Sequence, residues 1–191
     1  MPEKGVLNPE LHGYCEKIDQ IRRETVAIVE GLTEEQCAWQ PTSKQWSIAQ
    51  CLEHLNATAR NYFPIINDSI NDARARGWLG AGPFRHDLLG SWLVSLNSPP
   101  PKFRIPAPRR FYPPPDRPMS EIWPSFLAFQ DRLREMIRHA DGVDLARAKV
   151  RSPVIGVLKM SLGTTFDFII VHEARHLWQI RRIRESVGFP T

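Results

Sequence analysis

The 191-residue chain holds only three cysteines, Cys15, Cys37 and Cys51, and no C-x-x-C pair. So small and scattered a set argues against a disulfide framework and reads as reduced thiols packed as small hydrophobes. Long apolar runs are also lacking. The stretch "FDFIIV" (166–171) is far too short to span a bilayer. The opening "MPEKGVLNPE" has no apolar core of the length a signal peptide needs. These two absences lead us to expect a cytoplasmic location and no membrane partner. Charge of one sign is scarce as well. A formal +4 and a pI near 9.2 come from Lys and Arg scattered among carboxylates. No nucleic-acid partner is expected from so weak a surplus. No internal repeat is visible, and the length suits one domain over residues 1–191.

What the sequence does have is helical periodicity. A 3.6-residue pattern runs from about Pro9 to Glu30 through Leu11, Cys15, Ile18, Ile21 and Val29, and Gly31 stops it. A short turn follows at "TEEQCAW", where Thr33 and Gln36 can form a capping box. The second long helix has the clearest start signal: in "QWSIAQCLEHL", Ser47 is an N-cap, Gln50 closes the box, and Trp46 precedes the cap and can staple onto Cys51. The stripe Ile48, Leu52, Leu55, Ala59, Tyr62, Phe63, Ile66 and Ile70 carries this helix to about Arg76, with a kink expected at Pro64.

From Gly77 to Pro118 the period breaks. "SPPPKFRIPAPRRFYPPPDRP" (98–118) holds nine of the 17 prolines and is expected to be extended and polyproline-like. Phe103, Ile105, Phe111 and Tyr112 within it should hold residues 99–118 against the body. A third long helix is expected from about Ser120 to Asp141-Gly142. A connector over 143–163 follows, briefly extended at "VIGVLKM". The last helix is expected from about Thr164 to Val187, with Arg181, Arg182 and Arg184 at the negative end of its dipole. Four amphipathic helices with one long connection, between the second and third, describe an all-α four-helix bundle.

The last helix carries "VHEARHLWQIRR" (171–182), in which His172, Glu173 and His176 match H-E-x-x-H. Positions i and i+4 share a helix face, so the two histidines can hold one metal ion. A peptidase needs a third ligand. The metzincin position is Arg182, and Glu185, the carboxylate that follows, lies more than two turns along the same helix. The third ligand must therefore come from upstream, where His12, His54, His86 and His139 remain. His54, at the margin of the second helix's apolar stripe, is the candidate that faces into the bundle. On spacing alone, two hydrogen-bonded core histidines remain an open reading.

"PTSKQWSIAQCLEHLNA", followed far downstream by "HEARHLWQIRRIRE", resembles the DinB-like superfamily, the DinB/YfiT-like metalloenzymes. The likeness spans roughly Leu11 to Val187 and is weakest in the Pro-rich part. It implies an up-down-down-up bundle and a divalent metal held by His54, His172 and His176. Zinc or nickel come first, with iron, manganese or copper behind them. Glu173 then fills a variable position and is not a ligand. The resemblance also implies a thiol-dependent S-transferase or isomerase. It would use a metal-activated low-molecular-weight bacterial thiol, such as bacillithiol or mycothiol, against an electrophilic substrate. Metal-water hydrolysis and a non-catalytic metal-binding stress-response module are the alternatives. Asn61, Tyr62, Glu173, Gln179 and the basic residues of the Pro-rich segment are candidates to line the pocket, with Glu173 and Tyr62 the catalytic candidates. Bundles of this kind often dimerise through exposed helix faces, so a homodimer is an expected assembly.

Overall fold

The computed structural model describes residues 7–85, 88–100, 106–114 and 117–191. In chain order the elements are α1 (Pro9–Val29), the short α2 (Glu34–Ala38), α3 (Ile48–Ala75) and α4 (Leu88–Asn97). A 3-10 turn at Arg109–Phe111 follows, then α5 (Met119–His139), strands β1 (Lys149–Arg151) and β2 (Lys159–Ser161), and α6 (Leu162–Arg184).

The starts of these helices are chemically marked. Both capping boxes form: Thr33 with Gln36 opens α2, and Ser47 with Gln50 opens α3. The Ser161 side chain accepts from the Thr164 amide at the head of α6. No side chain of its own caps α5. Instead Glu34 reaches over from α2 and accepts from the Met119 amide at 2.9 and 3.1 Å. α1 ends where Gly31 takes up φ +84°, a left-handed conformation that a glycine adopts at little cost. α3 continues past Pro64 to Ala75.

α1 packs along α5 and α6, and α3 packs along the same two helices. The four long helices therefore close a ring in the order α1, α5, α3, α6, with α1 and α3 on opposite sides. The core has two apolar clusters. One gathers Ile18, Tyr62, Ile66, Leu133 and Phe166; the other gathers Ile48, Leu52, Phe126 and Ile180. α3 and α6 run through both. The three cysteines are free and buried, as their scarcity suggested.

Three features were not foreseen or only partly so. α4 is a helix inside the stretch where the sequence shows no period, and it packs against α6. The connector after α5 pairs as a short antiparallel hairpin, Lys149 opposite Ser161 and Arg151 opposite Lys159, so the architecture is helical with one small sheet. The Pro-rich segment is tied down at two points. Phe111 is buried, and Arg117 donates to Glu53 at 2.8 Å, although Tyr112 is exposed. Phe103 and Ile105 lie outside the described residues. Among the described residues, no helix is long and apolar enough to cross a membrane.

Candidate metal centre

His54 stands on α3 two turns past the Ser47 box, and that start fixes the phase on which it turns inward beside buried Leu55 and Thr58. His172 and His176 stand one turn apart on α6. The fold brings all three together: one ring nitrogen of each lies within 4.8 Å of the others. The Nε2 atoms of His54 and His172 are 3.2 Å apart. Two nitrogens bound to one zinc at tetrahedral geometry would be about 3.3 Å apart.

Hydrogen bonds fix which nitrogens are free. Nδ1 of His54 donates to the Phe111 carbonyl at 2.7 Å. A carbonyl only accepts, so the proton sits on Nδ1 and the lone pair on Nε2. Nδ1 of His176 donates to Oε1 of Gln179 at 3.2 Å, which leaves its Nε2 free in the same way. Nδ1 of His172 is buried and has no partner. Aromatic rings lock the imidazole planes. Phe168 stacks on His172 at 5.8 Å and 18°, Trp46 stacks on His176 at 5.9 Å and 20°, and Trp46 also lies 4.8 Å from His54.

The electrostatics favour neutral rings. Burial lowers the pKa of His54 against a smaller opposing effect of the Phe111 carbonyl. Burial, then the positive potential of His54 and Arg175, brings His172 down to about 3, and burial takes His176 well below its usual range. Neutral imidazole is the ligating form, so the donor set fits a divalent ion without prior loss of protons at neutral pH. Three neutral nitrogens also leave such an ion its full charge and room for further ligands.

The triad opens onto a pocket of about 810 Å³. Most of its α6 wall is one stripe, Phe168, His172, Arg175, His176, Gln179 and Arg182, at i, i+4 and i+7 spacing, with Trp178 and Ile183 beside it. The other walls come from the segments that break the helical period. α4 supplies Leu93 and Asn97, the Pro-rich strap supplies Phe111 and Tyr112, and the hairpin supplies Ser152 and Met160. Among the described residues, the charged side chains on this wall are Lys44, Arg175 and Arg182, all cationic.

The candidate pocket residues divide. Gln179 lines the pocket and holds His176. Tyr62 lines it too, with its pKa raised by burial. Asn61 does not line it: its side chain turns back to the Ala57 carbonyl at 2.7 Å. Glu173 does not line it either. It is buried, and burial raises its pKa to about 7. Of the basic residues in the Pro-rich segment, Lys102 and Arg104 lie outside the described residues. Arg109 and Arg110 are off the pocket wall, and Arg117 is spent on Glu53. Phe168 and Arg175 were missed, although their spacing from His172 put them on the same helix face. The Phe111 carbonyl had no sequence signal beyond a large apolar side chain among prolines.

No curated protein matches the chain. Among solved structures, the chain resembles YfiT from Bacillus subtilis, described as a probable metal-dependent hydrolase with an unusual four-helix bundle topology. The likeness has a TM-score of 0.61 at 12% identity, over 100% of this chain and 94% of that one, and shows a shared fold. A family model of the DinB superfamily matches residues 17–180, which span both capped starts, the strap and the histidine pair of α6. The chain thus belongs to the DinB superfamily.

Proposed function

We propose that this protein is a metal-dependent enzyme built on an up-down-down-up bundle. His54, His172 and His176 hold one divalent ion, zinc or nickel first. The reaction we assign it is conjugation of a small thiol, through its sulfur, to an electrophilic substrate. The observation that carries this reading is the pocket of about 810 Å³ opening directly on the triad. Sites for small ligands span roughly 300–1,000 Å³, so this one has room for two small reactants side by side. A divalent ion held by neutral ligands acidifies a thiol or a water and so supplies a nucleophile at neutral pH.

The chain's own residues do the rest. Phe111 and Gln179 keep the ring protons of His54 and His176 on Nδ1, away from the pocket. Trp46 and Phe168 exclude water from the imidazoles and present an apolar wall to the substrate. Lys44, Arg175 and Arg182 favour a reactant that carries an anionic group. Tyr62 offers a hydroxyl at the pocket wall for a proton on its way to or from the reactants.

A second reading, hydrolysis by an ion-activated water, is supported by the fold shared with YfiT, described as a probable metal-dependent hydrolase. The test is a conjugation assay on protein purified without an affinity tag, with monochlorobimane as electrophile and a panel of small thiols. Transfer predicts that a sulfur–carbon bond forms, chloride leaves and the thiol proton passes to solvent. The rate should vanish on chelation and return with zinc or nickel. Ester hydrolysis that depends on metal, with no conjugation by any thiol, would replace this reading with the second.

A further inference from the structure

His172 also borders a second, much smaller cavity. Leu55, Thr58, Ala59 and Phe63 of α3 line it, with Ile169, His172 and Glu173 of α6. Its volume is about 10 Å³, the room one water needs. Apolar cavities of this size stay dry, but this one is not purely apolar. Nδ1 of His172 and Oε2 of Glu173 are both buried and both without a hydrogen-bond partner. Buried polar atoms are rarely left unpaired, since each costs about 1–3 kcal/mol. The two residues that carry them line the same small cavity, which points to a shared partner.

The proton arithmetic of the triad sharpens the point. Because His54 keeps its proton on Nδ1, its Nε2 is a bare acceptor. The 3.2 Å contact with Nε2 of His172 is then a hydrogen bond donated by His172. For that nitrogen to bind metal, the neutral ring must carry its one proton on Nδ1 instead, which faces no protein acceptor. Ligating histidines nearly always donate their second N–H to a carboxylate, carbonyl or water. His54 has the Phe111 carbonyl and His176 has Gln179. His172 has nothing comparable.

We propose that a single buried water in this cavity accepts from Nδ1–H of His172 and donates to Oε2 of Glu173, making Glu173 a positioning residue for the metal centre. Thr58 completes the water's shell. Its hydroxyl proton goes to the His54 carbonyl at 2.9 Å, which leaves a lone pair for the water's second hydrogen. The buried glutamate next to a metal ligand is thereby explained without being a ligand itself. This rests on the three-histidine reading above, and the experiment separates the two.

The test loads the full-length protein with cobalt(II) and compares wild type with Glu173→Leu and Glu173→Gln. Leucine removes the acceptor while filling similar space, and the glutamine carbonyl can still accept from the same water. We expect Glu173→Leu to bind cobalt about 10–100-fold more weakly, with Glu173→Gln close to wild type. In proton NMR of the cobalt forms, the exchangeable ring N–H signal of His172 should be lost in Glu173→Leu. Those of His54 and His176 should persist, a selectivity that general loosening of the bundle would not give. A high-resolution crystal structure of the wild-type cobalt form should show one water within hydrogen-bond distance of both atoms, whether or not Glu173→Leu folds. An empty cavity there, or unchanged affinity and signals in Glu173→Leu, would overturn the proposal. Failure of the wild type to bind cobalt would remove the metal reading beneath it.

Discussion

His54 is held by two segments far apart in sequence, and its neighbour Glu53 shows how. Glu53 is buried. It accepts from Arg60 at 2.6 Å, from Arg117 at 2.8 Å and from Asn56 at 3.1 Å. That ion pair ties the Pro-rich strap to α3 one residue away from the site, where the Phe111 carbonyl meets His54. The three histidines also set how the metal-free protein responds to acid. His54 and His176 are buried and His172 half-buried, and desolvation depresses all three pKa values, so the unfolded chain binds protons that the folded state refuses. Stability from these groups is present above the ordinary histidine value near 6.5 and is lost as pH falls through it, for His172 down to about 3. Glu173 works in the opposite sense, because its raised pKa favours the folded state on acidification below about 7. Three groups outweigh one. Urea unfolding of metal-free protein should therefore show lower stability at pH 5 than at pH 7, approaching ~1.4 kcal/mol per pH unit for each uncompensated proton. A flat or rising profile would show that the rings are not held neutral.

At the scale of elements, α4 is the piece that depends most on one residue. Gly90 packs against α6, and a Cβ placed there would come 2.3 Å from Cγ2 of Thr164. Gly90→Val should destabilise the protein by about 1–3 kcal/mol and loosen the α4 wall of the pocket. The result expected is faster hydrogen exchange in 88–97 with α3 and α6 unchanged. Equal protection in both proteins would mean α4 does not depend on that contact. α4 was not legible because "LLGSWLVSLN" is apolar on nearly every face and lies in a run that otherwise breaks period, so no stripe marks it. The strands β1 and β2 are three residues each, too short for alternation to stand out. By contrast, Ser47 with Gln50 and Thr33 with Gln36 mark their helices by chemistry local to four residues, and both were readable from sequence.

For the molecule as a whole, the site sits at the seam between the two apolar clusters. On α3, His54 lies between Leu52 of one cluster and Ala59 of the other; on α6, His172 and His176 lie between Ile169 and Ile180. The three histidines were legible because two share a helix face and the third follows a capped start, and the family resemblance pointed to the same three. The pocket was not, because α4, the strap and the hairpin that wall it are placed by tertiary contacts rather than by periodicity. An ion at the seam would join α3 to α6, and since the unfolded chain holds no such site, its binding adds to stability. The most direct test of this account is a metal titration by calorimetry on untagged protein, stripped by chelation, for wild type, His54→Ala, His172→Ala, His176→Ala and Glu173→Ala. The account predicts one zinc or nickel per wild-type chain and loss of that binding by orders of magnitude in each histidine variant. Glu173→Ala should still fill to one ion per chain at saturating metal, with only its affinity reduced. Full binding by His54→Ala, together with loss of the metal in Glu173→Ala, would contradict it and return the H-E-x-x-H of α6 to a peptidase-like site.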